Sequence, residues 1–145
     1  MTAEQPTPDE SLAVELRMAT FRLARRLRIQ RALHDMSDGQ FAALAALRWH
    51  GPLALGELAE RERVTAPSMN RTVNCLEESG YVVRTPDEVD RRKVNIDATP
   101  AGRSLVEAAQ RRRDAWLEEA LAALSPADRD ALLRAVPLMR QVADR

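Results

Sequence analysis

A single cysteine, Cys75, excludes an internal disulfide from this chain of 145 residues and fits a reducing compartment. Histidine is scarce as well, with only His34 and His50, and no carboxylate cluster stands at ligand spacing. A metal site needs three or four converging ligands, so neither a metal nor a cofactor is expected. Without a nucleophile–base pair or a glycine-rich phosphate loop, enzymatic function is set aside too. No stretch approaches the roughly 18 consecutive apolar residues of a membrane span. The opening MTAEQPTPDE is polar and acidic with no apolar run behind it, unlike a signal peptide. A cytoplasmic protein with no membrane partner is therefore expected. Nor does one sign of charge prevail: 22 basic residues face 22 acidic ones, so overall charge singles out no acidic partner.

What is present is unevenly placed. Residues 16–34 hold Arg17, Arg22, Arg25, Arg26, Arg28 and Arg31 and no acid, and of all the basic residues only Lys93 is lysine. Arginine's planar fork donates two parallel hydrogen bonds and so suits phosphate and guanine, although heavy arginine and alanine use also reflects a GC-rich genome. The length is that of a single domain, 1–145. Thr7-Pro8-Asp9-Glu10 has the form of a capping box. Behind it Leu12, Leu16, Ala19, Leu23 and Leu27 make one apolar stripe, and Val14, Met18 and Phe21 a second. Such a helix predicts burial against more than one neighbour, as in a dimer contact. Ser37 to Gln40 is another capping box, opening a helix that Gly51-Pro52 ends. A long helix is predicted over Ala101–Leu124, and a last one behind Ser125-Pro126. In the latter Leu132, Leu133, Val136 and Met139 are expected to be buried, with a kink at Pro137.

Residues 55–102 carry the functional signal. A short helix over Gly56–Arg63 leads into a turn in which Val64 is expected to pack. Thr65 then caps a second helix, from Ala66 to about Ser79, which stops at Gly80. Met69, Thr72, Val73 and Leu76 share its apolar face. The opposite face carries Pro67, Ser68, Asn70, Arg71, Asn74 and Cys75. Arginine bonds guanine O6 and N7 in bidentate fashion, and asparagine does the same to adenine N6 and N7. Residues 81–84 and 93–97 alternate as hairpin strands do, with Leu53-Ala54-Leu55 a candidate third strand. Asp90 is placed to fix the hairpin tip, and Arg91, Arg92 and Lys93 project toward a nucleic acid backbone. A helix sized for the major groove beside an arginine-tipped ribbon points to double-stranded DNA.

These elements resemble the MarR family of bacterial winged-helix regulators. The resemblance rests on the LGELAER helix, the S-x-x-R core of the second helix and the run DRRKVNIDATPAG. In the last of these Asp90, Arg92, Thr99 and Gly102 match the family pattern, while Ala98 replaces the usual leucine. The fold implied is mainly α with a small β-wing. Residues 37–100 would form the winged helix-turn-helix, and residues 7–36 and 101–145 a helical dimerisation region. The resemblance implies a homodimeric regulator, a repressor on a pseudo-palindromic operator. Ser68, Asn70, Arg71 and Asn74 map to recognition positions, and Asp90 and Arg92 to the wing. It also implies release by a small aromatic or phenolic effector, for which Phe21, Trp49, His50 and Trp116 are the candidate lining. Such aromatics are more often core packing, and Cys75 is read as a small filler rather than a redox sensor. A winged-helix adaptor that binds protein stays open as the alternative. Its basis is charge: residues 63–103 hold seven basic residues against six acidic ones.

Overall fold

Short-range chemistry sets the helix boundaries in the computed structural model, which describes residues 8–31 and 35–145. The first helix, α1, spans Pro8–Ile29; the expected cap at Thr7 lies outside the described residues. Helix α2 (Asp38–His50) opens on a capping box: Gln40 N–H donates to Ser37 Oγ at 3.1 Å, and Ser37 N–H to Gln40 Oε1 at 2.8 Å. It closes at Gly51, whose φ of 77° lies where only glycine is unstrained. Helix α3 (Leu55–Arg61) borrows Glu57, whose carboxylate accepts the Ala54 N–H at 2.9 Å. Thr65 caps α4 (Ala66–Glu78), and Ser125 caps α6 (Pro126–Ala143), each accepting an N–H three residues on. Helix α5 covers Pro100–Ala122. Helix α6 runs through Pro137 without ending there.

Strands β1 (Leu53–Ala54), β2 (Val82–Pro86) and β3 (Val94–Ala98) form an antiparallel sheet in the order β1-β3-β2. The candidate third strand is thus in place, pairing Leu53 with Ile96 and Ala54 with Asn95. The hairpin strands sit slightly later than expected and take in Pro86, which pairs with Val94. An edge strand tolerates proline, because its missing N–H faces no partner.

The described chain divides into two compact units, residues 8–31 with Arg112–Arg145, and residues 35–111. The second unit holds the apolar core. Leu44 and Leu47 of α2, Leu58 of α3, Val73 and Leu76 of α4, Ile96 of β3 and Val106 of α5 are its largest fully buried side chains. Ala98 is buried there too, opposite Val82. The first unit differs: neither α1 nor α6 has a buried residue. Leu12, Phe21, Leu133, Leu138 and Val142 are 62–72% exposed. The expected burial of Leu132, Leu133, Val136 and Met139 is therefore not met within one chain. Each of these helices carries an apolar stripe that is left uncovered by the described residues.

One close approach organises the core unit. A Cβ placed on Gly102 would stand 2.2 Å from the Tyr81 carbonyl oxygen and 3.0 Å from Leu44 Cδ1. Thr99 occupies the same junction. Its Oγ1 donates to the Gly80 carbonyl at 2.7 Å and accepts the Gly102 N–H at 3.1 Å, while its own N–H donates to Tyr81 O at 3.0 Å. The T-x-x-G spacing thus fastens the end of α4, the start of β2 and the first turn of α5 at one point. Gly102→Ala is expected to destabilise the protein by about 1–3 kcal/mol, since backbone must move to admit the methyl. Gly39→Ala, where a Cβ meets nothing within 4 Å, should instead stabilise by about 0.5–1 kcal/mol. Urea unfolding of the two variants checks both signs.

Candidate nucleic-acid interface

Helix α4 follows α3 through a turn closed by backbone bonds. Arg63 N–H donates to Glu60 O and Val64 N–H to Ala59 O, at 3.1 and 3.0 Å. Arg63 adopts a φ of +53°, the left-handed region. Val64 is exposed rather than packed, because the main chain and not a side chain closes this turn. Beyond it α4 buries Met69, Val73 and Leu76, while Thr72 is half-buried on the same flank. The buried stripe forces the rest of the helix outward. Ser68, Asn70, Arg71 and Asn74 are all exposed, as is Cys75, whose carbonyl accepts a hydrogen bond from Ser79 Oγ at 2.8 Å. Arg71 makes no hydrogen bond or ion pair with another described residue.

Asn70 and Asn74 are not free in the same sense. Arg84, on β2, donates from Nη2 to Asn70 Oδ1 at 3.1 Å and to Asn74 Oδ1 at 2.8 Å, and from Nη1 to Glu77 Oε2. One guanidinium thus ties the wing to three successive positions along the flank of α4. Sequence reasoning missed Arg84, which stands in a strand and carries no motif. The available signal was an arginine on a strand directly after a helix bearing Asn, Asn and Glu at i, i+4, i+7.

The loop between β2 and β3 is built around Asp87 more than Asp90. Asp87 Oδ1 accepts the Val89 and Asp90 N–H groups at 2.9 and 2.8 Å, and its Oδ2 accepts Asn95 Nδ2 at 2.8 Å. Backbone bonds between Asp87 and Lys93, and between Lys93 and Asp90, close the loop. Asp90 has a smaller part, accepting the Arg92 N–H at 3.1 Å and lying 3.5 Å from Arg92 Nε. The Arg92 side chain is 94% exposed, so that ion pair is worth little. Arg91 and Lys93 are exposed and have no ion-pair partner among the described residues. The missed cue was Pro86-Asp87, where an aspartate bonds main-chain N–H groups two and three residues on.

The four candidate effector residues fall two in each unit. Trp49 and His50 end α2: Trp49 is 63% exposed with Arg48 over its ring at 5.4 Å, and His50 Nε2 lies 3.1 Å from Arg61 Nη1. Arg48 is itself held by Glu107 at 2.8 Å. In the other unit Phe21 is exposed, and Trp116 is half-buried with Arg26 over its ring at 5.6 Å. Among the described residues, no helix is long and apolar enough to cross a membrane.

Comparison with known proteins gives concordant findings. Residues 36–94 match the sequence model of the MarR family. An uncharacterized HTH-type transcriptional regulator of Mycobacterium bovis is 40% identical over 136 residues, covering 94% of this chain and 95% of that one. The HTH-type transcriptional repressor NicR of Pseudomonas putida is 35% identical over 74 residues, 51% of this chain and 47% of that one. Among solved structures, a MarR family protein from Bacillus stearothermophilus superposes with a TM-score of 0.82 at 24% identity, covering 93% of this chain and 94% of that one. A MepR variant from Staphylococcus aureus bound to an oligodeoxyribonucleotide gives 0.69 at 22% identity, covering 91% and 97%. These last two establish the winged-helix fold.

The Asp87 carboxyl is held below its ordinary range, first by the Asp90 N–H, then by the Asn95 amide and the Val89 N–H. A carboxylate with a depressed folded-state pKa contributes stability in full above its unfolded value, and that contribution is lost as pH falls through the folded one. The wing loop is therefore expected to keep its order from neutral pH down to about 4 and to lose it only below that. Amide chemical shifts of Val89 and Asp90 followed through an acid titration check this; a transition centred nearer neutrality contradicts it. Asp87→Ala should show the acid-form shifts already at neutral pH.

Proposed function

The chain belongs to the MarR family of winged helix-turn-helix transcriptional regulators, and on that premise we propose that it acts as a homodimeric repressor on a pseudo-palindromic operator. Each copy lays α4 in the major groove, where Ser68, Asn70, Arg71 and Asn74 meet base edges and phosphates. Asp90, Arg91, Arg92 and Lys93 carry the wing to the flanking minor groove. The observation that carries this reading is the Arg84 clamp, which joins α4 to the wing in one face where the Arg71 and Arg91 side chains have no ion-pair partner among the described residues. The printed names of NicR, a repressor, and of the oligodeoxyribonucleotide-bound MepR variant point the same way. Dimer symmetry sets the half-sites about 10 base pairs apart, centre to centre.

Support for the dimer comes from α1 and α6, which fall in the helical regions 7–36 and 101–145 proposed for dimerisation, with 37–100 proposed for DNA binding. An apolar groove of about 460 Å³ lined by Leu16, Thr20, Val136, Met139 and Val142 lies open there. With Leu12, Phe21, Leu133 and Leu138 also exposed, α1 and α6 offer apolar side chains that a second copy would cover. We further propose that a small aromatic molecule releases DNA by favouring one spacing of the two heads over another.

A gel shift with the DNA upstream of the protein's own gene, at two salt concentrations, tests the function. Arg71→Ala should cost about 1–3 kcal/mol and relax selectivity at one base pair. Arg92→Ala should weaken binding to all sequences alike and lower the salt slope by about one. No shift at low salt favours the protein-binding adaptor instead. For the dimer, Leu133→Asp is expected to give a monomer in sedimentation equilibrium and to weaken operator binding by roughly 100-fold, since one head alone loses the linkage gain. A stable dimer in that variant removes α6 from the interface.

A further inference from the structure

Arg84 decides which way two recognition side chains face. Its Nη2 lies 3.1 Å from Asn70 Oδ1 and 2.8 Å from Asn74 Oδ1, while Nη1 engages Glu77. A guanidinium donates hydrogen bonds and cannot accept them. Whichever amide atom sits against it must therefore be oxygen. The Nδ2 groups, on the far side of each Cγ, make no hydrogen bond with another described residue, and both asparagines are exposed. Glu77 meanwhile neutralises Arg84 itself, whose side chain is only 28% exposed. Arg84 thus has little left to offer a phosphate.

We propose that Arg84 is a positioning residue that sets base specificity by presenting Asn70 and Asn74 as donors. The inference rests on α4 being the base-reading helix. Adenine recognition by asparagine needs both amide atoms at the base edge, the oxygen accepting from N6 and the nitrogen donating to N7. With the oxygens turned to Arg84, that bidentate pairing is withdrawn. The outward N–H groups suit edges that only accept: O6 and N7 of guanine, or O4 of thymine. At adenine they meet N7 beside the N6 amino group, a donor facing a donor. Asn70 and Asn74 lie one helical turn apart, so two operator positions per half-site are affected. At these positions guanine or thymine is selected and adenine rejected, opposite to what asparagines on a recognition helix would suggest by residue type.

Sequence selection from a randomised half-site, with salt titration of the selected and random DNA, tests this. Relaxation in Asn70→Ala and Asn74→Ala identifies the two positions. The unsubstituted protein should prefer guanine or thymine over adenine there by roughly tenfold or more. Arg84→Met, which keeps length but no donor, should free the oxygens and raise adenine by a similar factor. Combined with Glu77→Gln, which keeps the local charge balanced, it should leave the salt slope unchanged. Adenine selected by the unsubstituted protein overturns the proposal. So does an Arg84→Met variant that keeps the original preference, or a charge-balanced double variant whose salt slope falls by about one, the mark of a lost phosphate contact. Thermal melting shows whether Arg84→Met folds. Asn74→Asp serves as the second variant: it keeps an acceptor for Arg84 but loses the donor, and should shift its position toward cytosine, whose N4 donates. Guanine or thymine retained by Asn74→Asp also overturns it. Absence of any selection by the unsubstituted protein overturns the DNA-reading function itself, a result distinct from all of these.

Discussion

The carbonyl of Tyr81 is the point on which the reading head turns. It accepts the Thr99 N–H at 3.0 Å and stands where residue 102 has room only for hydrogen. Thr99 adds a bond to the Gly80 carbonyl, and Gly80, at φ 75°, is the residue that lets the chain leave α4. Three elements therefore share one junction: the end of α4, the first residues of β2 and the first turn of α5. Steric exclusion does most of this work. A hydrogen bond here can be exchanged for one to water, but two backbones cannot approach this closely past a side chain.

From that junction the hairpin is aimed, and Arg84 returns from it to α4. The electrostatics follow from the same geometry. Seven basic and six acidic side chains over residues 63–103 look nearly neutral. In the fold three acids pair with bases, Glu77 with Arg84, Asp97 with Arg103 and, loosely, Asp90 with Arg92. Arg63, Arg71, Arg91 and Lys93 remain against Glu78, Asp87 and Glu88, so pairing leaves the region as nearly balanced as its sequence. Binding then depends on where single charges stand more than on a broad cationic surface, since salt screens exposed charges beyond about a Debye length.

Much of the architecture was legible in local pattern. The capping box at Ser37 and the caps at Thr65 and Ser125 are short-range signals, and they place α2, α4 and α6 within a residue or two. The alternation around Val82 and Ile96 places the wing. Less legible were the features that depend on what lies across space. Asn70 and Asn74 read as free amides, because the arginine that holds them stands 14 and 10 residues on, in a strand. Val64 read as packing, yet a main-chain turn closes without it. The apolar residues of α6 read as buried, since periodicity reports a face and not what covers it.

Taken alone, the sequence determined the order and type of the elements, the stripe of α4 that must turn inward, and hence which residues it must show to solvent. Those depend on backbone propensity and on the period of apolar side chains, both local quantities. Only the tertiary structure decided that Arg84 holds the amide oxygens of Asn70 and Asn74 and that Asp87 organises the wing tip. It also decided that Gly102 is required for a steric rather than a conformational reason. Each of these is a contact between groups brought together by folding, and neither residue type nor spacing encodes the direction in which a side chain's donor or acceptor atom finally points.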